Sequence, residues 1–147
     1  MLTRLYVHLV WTTREREPVL DANLARFLCR FLRAMARKQR AEILAIGMVR
    51  THIHLLLQLH PTTSVSQLVK RLKGASSAVA KTDGYSASGR RLYWAKGYSA
   101  HSVGTRQLAA VEAYLRRQSI HHSAEAILGW EGDLVDSPAA FGPDLKE

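Results

Sequence analysis

The stretch His52-Ile53-His54-Leu55-Leu56-Leu57-Gln58-Leu59 decides the fold, because it has the pattern of one β-strand with two different faces. Successive side chains of a strand alternate between the two faces of a sheet. One face then carries His52, His54, Leu56 and Gln58. The opposite face is apolar throughout and needs a core; it carries Ile53, Leu55, Leu57 and Leu59. The strand therefore presents two imidazoles on one side of a sheet, which is half of a metal site.

Length and composition predict a single basic domain. With 147 residues, 47% of them hydrophobic, the chain has enough apolar material for one core. The formal charge is +9, but residues 131–147 carry five acids against one lysine, a net −4, which leaves +13 on residues 1–130. We predict one domain over 1–130 and an acidic, partly ordered tail over 131–147. A domain this basic is typically a polyanion binder, most often of nucleic acid, with a solvated basic surface as the alternative.

Cysteine usage and hydropathy indicate a cytoplasmic protein without a membrane partner. The single cysteine, Cys29, has no internal partner and lies inside an amphipathic pattern, so we interpret it as a reduced core thiol. No segment approaches about 18 consecutive apolar residues, and the N-terminus lacks a signal-peptide pattern.

Periodicity predicts the order β-α-β-β-α-β-α. Alternation over Leu5 to Thr12 indicates the first strand, and apolar steps of three and four after Asp21, a plausible N-cap, indicate the first helix. Glu42 to Met48 and the histidine strand form a hairpin. The remaining elements are a helix capped by Ser64 or Ser66, a loop over Thr82 to Arg90, a strand over Tyr98 to Val103, and a last helix from Arg106 to about Leu128.

This order is that of an α+β fold, the ferredoxin-like split βαβ antiparallel sheet with an additional C-terminal helix. Its first and third strands lie side by side, and the two middle helices cover one face of the sheet. We expect Leu5, Val7, Leu9, Ile53, Leu55 and Leu57 under those helices. Tyr6, His8, His52 and His54 are then left on the other, open face, a natural platform for nucleic acid.

The last helix contains Tyr114-Leu115-Arg116-Arg117-Gln118 and supplies the second half of a metal site. Tyr114 and Gln118 are i and i+4, so they share one helix face. Packed over the open face, Gln118 could add an amide oxygen to a cation held by His52 and His54, a mixed site suited to Mg²⁺ or Mn²⁺. The cation would polarise a phosphodiester, and Tyr114 could attack phosphorus. The predicted chemistry is transesterification through a phosphotyrosine.

Other residues have weaker claims to a role. Lys70, Arg71 and Lys73 are predicted to contact nucleic-acid phosphates, with a solvated helix face as the alternative. His8 is more typical of strand packing than of a metal ligand. His121 and His122 lie one turn past Gln118 and could replace or supplement it. Aromatic residues that could stack on bases, although core or dimer packing is the commoner role, are Tyr93, Trp94 and Tyr98.

These segments, taken in order, resemble the HUH-type single-tyrosine transposases, the insertion sequence 200/605 group and its REP-associated relatives. The resemblance covers most of residues 4–122, and only the ordered set is specific. It is carried by His8-Leu9-Val10-Trp11-Thr12-Thr13, His52-Ile53-His54-Leu55-Leu56-Leu57, Ser64 to Ser77, Trp94-Ala95-Lys96-Gly97-Tyr98 and Tyr114-Leu115-Arg116-Arg117-Gln118.

The resemblance implies that His52 and His54 are metal ligands, Gln118 the third ligand and Tyr114 the nucleophile. It implies a homodimer that cuts and rejoins single-stranded DNA at hairpin-marked ends through a 5′-phosphotyrosine, with no small-molecule cofactor. The family usually has an acidic pair before the first histidine, where this chain has Arg50-Thr51. A carboxylate there could orient an imidazole through its second nitrogen.

Two other function classes fit part of this pattern. A non-catalytic or domesticated single-stranded nucleic-acid-binding protein on the same fold would explain the charge and the aromatic residues, but not a Tyr/Gln pair facing a His pair. A metal phosphoesterase that releases a hydrolysed product would explain the ligands but not the tyrosine. Of the three, only a transposase would form an SDS-resistant protein–DNA adduct.

Overall fold

The computed structural model describes residues 2–83 and 90–133, which form a four-stranded antiparallel sheet with helices on both faces. The strands are β1 (Leu5–Thr12), β2 (Ala41–Val49), β3 (His52–Leu59) and β4 (Ser99–Val103). The helices are α1 (Ala22–Lys38), α2 (Val65–Asp83), α3 (Leu108–Arg116) and the single turn α4 (Gln118–His121). The sheet order β2-β3-β1-β4 is that of the predicted ferredoxin-like fold, which is confirmed.

The main core lies between one face of the sheet and helices α1 and α2. Inward-facing residues of the central strands, such as Leu9 and Leu55, are fully buried there. Helix α1 begins where predicted, because the Asp21 carboxylate accepts a hydrogen bond from Leu24 N at 2.9 Å. Leu5 is an exception to the predicted set: it is 45% exposed, since it opens β1 at the margin of the sheet, beyond the helix layer.

The opposite face of the sheet is less open than predicted. All eight residues of β3 are buried, which requires cover on both faces. A second, smaller core contains Leu56 of β3 together with Leu108 and Leu115 of α3. Burial of each leucine contributes roughly 1.5–3 kcal/mol, enough to hold α3 against β2 and β3. Among the described residues, the β1–β4 side of this face is the more exposed one, and four of the five β4 residues are open to solvent.

The predicted continuous helix from Arg106 to Leu128 is wrong. Helix α3 ends at Arg116, and Arg117 has φ −103° and ψ 18°, so the chain turns before α4 begins. The bend places Gln118 at 1% exposure while Tyr114 is 41% exposed. The two side chains therefore do not share one helix face as the i, i+4 argument assumed, because packing onto the sheet outweighs helix continuity.

Two further predictions fall at the edges of the described residues. Helix α2 extends to Asp83, two residues into the predicted loop, and residues 84–89 lie outside the described part of the chain. Of the predicted tail, residues 131–133 are described and residues 134–147 are not. No helix in the described ranges is long and apolar enough to cross a membrane.

Candidate active site

The two candidate histidine ligands lie side by side on β3. His52 is opposite Thr12 of β1, and His54 is opposite Val10. Their ring centroids are 5.2 Å apart, and the residues are only 7% and 8% exposed. The alternation of the strand therefore brings both imidazoles to the face that α3 and α4 cover, as the sequence predicted.

Gly47 of β2 allows the α3–α4 turn to approach this histidine pair. It is the cross-strand neighbour of His54. A Cβ atom at this position would collide with the Leu115 backbone carbonyl and would lie 2.7 Å from Cγ of Gln118. The absence of a side chain is what allows the turn to sit directly on the sheet.

The Gln118 side chain has the properties expected of an oxygen ligand. Both amide atoms, Oε1 and Nε2, are buried without a hydrogen-bond partner among the described residues. An orphaned buried amide costs about 1–3 kcal/mol, so it is rarely kept without a reason. The amide also lies near enough to His52 to oppose in part the lowering of that pKa. The donor set of two imidazoles and one amide oxygen fits a divalent cation.

Both histidines are held in the neutral form that a metal ligand requires. Burial, together with the neighbouring His8, His52 and His122, lowers the pKa of His54 to about 3. The pKa of His52 is also lowered, mainly by burial, although the nearby Glu125 carboxylate opposes this. Protons therefore compete weakly for these two rings near neutral pH.

Tyr114 faces the histidine pair from the end of α3. Its ring centroid is 6.0 Å from that of His54, edge to face, and it stacks on His121 with centroids 4.9 Å apart. An open groove of about 480 Å³ begins at Tyr114 and runs between α3 and β4 along Val103 and Val111. The tyrosine is thus fixed beside the candidate metal ligands and accessible to a substrate.

Several residues around the histidine pair were predicted from the sequence to have only a minor role, or were not predicted to have one. His8 Nε2 lies 2.9 Å from His54 Nδ1, a direct hydrogen bond to a candidate ligand. The His122 ring centroid is 5.2 Å from that of His52. Thr51 contacts His52 directly, and Glu125 reaches His52 through Thr51; the sequence predicted a role for neither residue. Thr51 adjoins the motif, but Glu125 is 74 residues away and left no sequence signal.

The predicted phosphate-contacting residues lie elsewhere. Lys70, Arg71 and Lys73 belong to α2, whose buried residues pack in the main core on the opposite face of the sheet. Lys73 Nζ donates to the carbonyls of Ala95 and Gly97, at 2.7 and 2.8 Å, and so holds a loop. Arg71 donates to Gln39 Oε1 at 2.6 Å. Their predicted contact with nucleic acid stays a prediction.

In the described ranges, no three His, Cys, Asp or Glu side chains are arranged as a metal cluster. Two histidines, a buried amide and an exposed tyrosine thus lie together on one face of a ferredoxin-like sheet. Side chains of these types could support metal-assisted attack on a phosphodiester by the tyrosine.

Comparison with known proteins identifies the family. A family model described as "Transposase IS200 like" matches residues 1–118. This is most of the chain, and the protein belongs to that transposase family. The predicted resemblance to the insertion sequence 200/605 group is thereby confirmed.

Individual relatives agree with this assignment. Over 74 residues the chain is 35% identical to the ISDra2 transposase TnpA of Deinococcus radiodurans, a match over 50% of this chain and about half, 53%, of that relative. Over 118 residues it is 28% identical to the transposase for insertion sequence element IS200 of Salmonella typhimurium, covering 76% and 74% of the two chains. A REP-associated tyrosine transposase bound to a REP hairpin has the same fold, with TM-score 0.63, 15% identity, and coverage of 95% and 93%.

Proposed function

We propose that the protein is a transposase that cuts and rejoins single-stranded DNA through a covalent bond to Tyr114. One observation carries the proposal: within a single chain, Tyr114 and the orphaned amide of Gln118 converge on the neutral imidazoles of His52 and His54. Each residue has another explanation alone. Together they provide a nucleophile beside three metal donors.

We assign His52, His54 and Gln118 as the residues that hold the cation, Mg²⁺ or Mn²⁺. When bound, a cation there supplies Lewis-acid polarisation of the scissile phosphodiester. An amide oxygen favours a hard ion of this kind, and three protein donors leave positions for substrate oxygens. His8 contacts Nδ1 of His54 and Thr51 contacts Nδ1 of His52, so each Nε2 would be the nitrogen available to a cation.

The Tyr114 hydroxyl carries out the covalent step. Its oxygen, after loss of the phenolic proton, forms a bond to phosphorus as the bond to the 3′ oxygen breaks. The products are a 5′-phosphotyrosine and a DNA strand whose leaving 3′ oxygen takes up a proton to become a hydroxyl, which balances the proton that the phenol gives up to solvent. Because a phosphodiester is exchanged for another phosphodiester, rejoining requires no ATP. Stacking on His121 and contact with His54 restrict the tyrosine ring during attack.

The basic character of the chain supports a DNA substrate. The charge on residues 1–130 provides the phosphate attraction that nucleic-acid binding requires. The groove beside Tyr114 has room for an unpaired strand, and its wall is apolar where Val103 and Val111 line it. We propose single-stranded DNA next to a hairpin as the substrate, in line with the REP hairpin bound by the structural relative.

The test is trapping of the covalent adduct. Labelled single strands from the DNA that flanks the gene, with their hairpins, are incubated with protein and Mn²⁺ and separated in SDS. We expect an adduct with the wild-type protein and none with Tyr114→Phe, which keeps the ring and removes only the hydroxyl. Tyr98→Phe is a matched control, because Tyr98 is 42% exposed and Tyr114 is 41% exposed.

Three results would contradict parts of the proposal. An adduct formed by Tyr114→Phe would assign the nucleophile to another tyrosine. An adduct of equal yield in EDTA would remove the metal. Tight DNA binding by the wild-type protein without any adduct would favour the non-catalytic alternative.

A further inference from the structure

A hydrogen-bonded path connects the Glu125 carboxylate to the candidate ligand His52. Thr51 Oγ1 donates to Glu125 Oε1 at 3.1 Å. Thr51 Oγ1 also lies 3.1 Å from His52 Nδ1. Thr51 is 5% exposed and His52 is 7% exposed, so water is largely excluded from the path. Hydrogen bonds shielded in this way are stronger than those in water.

The number of hydrogens on this path fixes the direction of each bond. A threonine hydroxyl has one hydrogen, and an ionised carboxylate can only accept. Thr51 therefore gives its hydrogen to Glu125 and must accept from His52, so Nδ1 of His52 carries the ring proton. A neutral imidazole has only one such proton. Nε2 of His52 is then left with a free lone pair.

We propose that Glu125 and Thr51 are positioning residues that hold His52 in the Nδ1–H tautomer and direct its Nε2 atom at the cation. This inference rests on the proposed function, because it assumes that His52 is a metal ligand. Ligating histidines commonly donate their second N–H to a carboxylate or another oxygen, which sets the ring orientation. Here the carboxylate acts through an intervening hydroxyl.

The backbone explains how a distant glutamate reaches this position. Glu125 ends a 3₁₀ turn, Ser123–Glu125, that follows α4. Arg50 N donates to the Glu125 carbonyl at 2.8 Å, and Arg50 Nη2 donates to the Ala124 carbonyl at 3.0 Å. The turn is therefore attached to the β2–β3 connection at Arg50-Thr51, which stands where an acidic pair would usually precede the first histidine. A carboxylate is present at this site, but it comes from the end of the 3₁₀ turn Ser123–Glu125.

The same contacts separate a positioning role from a purely structural one. The backbone hydrogen bond between Arg50 and Glu125 attaches the turn without either side chain. Thr51→Val is close to isosteric and removes only the hydroxyl. Thr51→Ser keeps it and serves as the conservative variant. Glu125→Ala removes the acceptor, which frees the Thr51 hydroxyl to donate to Nδ1 and so favours the opposite tautomer. Glu131→Ala changes an exposed glutamate nearby as a control.

The first readout is the His52 tautomer in the metal-free, DNA-free protein. Long-range ¹H–¹⁵N spectra distinguish protonated from unprotonated ring nitrogens, and the His52 signals are assigned by their loss in His52→Asn. We expect the Nδ1–H form in the wild-type, Thr51→Ser and Glu131→Ala proteins. Thr51→Val is expected to show a mixture, and Glu125→Ala mainly the Nε2–H form.

The second readout is Mn²⁺ affinity, measured by titration of the full chain without DNA. Loss of such an orienting partner typically weakens metal binding by about 10- to 100-fold. We expect that loss for Thr51→Val and Glu125→Ala, and affinity close to wild type for Thr51→Ser and Glu131→Ala. Thermal unfolding checks that each variant is folded. If Thr51→Val fails to fold, the result for Glu125→Ala decides the test alone. The Glu125 side chain is only half-buried, so its removal should leave the fold intact.

An unchanged His52 tautomer in Glu125→Ala, or in a folded Thr51→Val, would overturn the positioning role. So would an affinity for Mn²⁺ equal to that of the wild type. Absence of Mn²⁺ binding by the wild-type protein would instead overturn the metal site of the proposed function. The tautomer spectra contain neither metal nor DNA, so they would still decide whether Glu125 and Thr51 set the ring.

Discussion

The side chain of Gln118 combines a functional advantage with a cost in stability. Its amide is buried at 1% exposure and makes no well-formed hydrogen bond in the part of the chain that is described, although it lies close enough to the His52 ring to raise its pKa slightly. An unsatisfied polar group of this kind destabilises the folded state until a ligand satisfies it. Stability and metal binding therefore oppose each other at this one residue.

This opposition predicts the behaviour of Gln118→Leu. In the metal-free protein we expect the free energy of unfolding to rise by about 1 kcal/mol, because an apolar side chain of similar size carries no desolvation penalty. Mn²⁺ affinity should fall sharply in the same protein. Chemical denaturation and metal titration measure the two effects, with Gln67→Leu on the exposed face of α2 as the control. A loss of stability in Gln118→Leu would mean that the amide is satisfied in solution, and the metal assignment would lose its main support.

How much of the site could be predicted from the sequence is clearest at the level of single residues. Strand alternation correctly placed His52 and His54 side by side. Tyr114 and Gln118 also lie near this pair, but from the two sides of the bend at Arg117 and not from one helix face as predicted. Their metal-binding and catalytic roles stay predictions. The Glu125 contact could not be predicted, because no periodic pattern links residues 74 positions apart.

At the scale of elements, local patterns predicted the strands, the hairpin and helix α1, since each has a periodic apolar face. They did not predict the break at Arg117. The sequence from Arg106 to Leu128 is compatible with one helix, and the bend arises only because Leu115 and Gln118 both pack onto the sheet. Docking of one element on another therefore decides where the helix ends, and Gly47 is the position that permits that docking.

Gly47→Ala is expected to separate α3 and α4 from the sheet. The new methyl group would meet the backbone carbonyl of Leu115, which cannot rotate away as a flexible side chain could. We expect a loss of roughly 1–3 kcal/mol in the free energy of unfolding, together with weaker Mn²⁺ binding. Denaturant unfolding and metal titration measure both effects.

Gly74→Ala is the matched control for this substitution. Gly74 lies within α2, and a Cβ atom there has nothing within 4 Å. Alanine at that helical position should add up to about 1 kcal/mol of stability and leave metal binding unchanged. Equal effects at the two glycines would show that the close approach at Gly47 does not matter.

At the scale of the whole molecule, a buried ion pair joins helix α1 to the end of the described chain. Arg33 of α1 makes two hydrogen bonds to the Asp133 carboxylate, at 3.0 and 2.8 Å, across 100 residues of sequence. Asp133 Oδ2 also accepts from Ile46 N of β2, and the Asp133 carbonyl accepts from Arg116 of α3. Asp133, three residues past the predicted domain boundary at 130, thus connects three elements, including the helix that carries Tyr114.

Asp133→Asn should therefore destabilise the whole domain. Loss of the charge leaves the guanidinium of Arg33 buried without its counterion, and we expect the free energy of unfolding to fall by about 3 kcal/mol. Glu131→Gln, at an exposed position two residues earlier, should change it by less than about 0.5 kcal/mol. Urea denaturation measures both. Similar small effects in the two variants would indicate that the Arg33–Asp133 pair is open to water.

Whether one chain or two build a working site is a question about the molecule as a whole. The homodimer is an expectation from the family resemblance. In the structure α3 docks on β2 and β3 of its own chain, with Leu108 and Leu115 in the second core. Tyr114 reaches His54 of the same chain, so the geometry favours a site that one subunit completes. The dimer itself stays a prediction, which light scattering at micromolar concentration tests.

Mixing two inactive variants distinguishes the two arrangements of the tyrosine helix. Tyr114→Phe lacks the nucleophile, and His52→Ala lacks a ligand. If each subunit uses its own tyrosine, every site in the mixture lacks one group, and we expect no adduct above that of the separate variants. If subunits exchange the helix, half of the dimers are mixed and one site of each is complete, so activity returns to about a quarter of the wild-type value. The two proteins must be unfolded and refolded together before the assay, so that subunits have exchanged. Recovery of activity would show that α3 docks on its own sheet in the isolated chain but on its partner's sheet in the working enzyme.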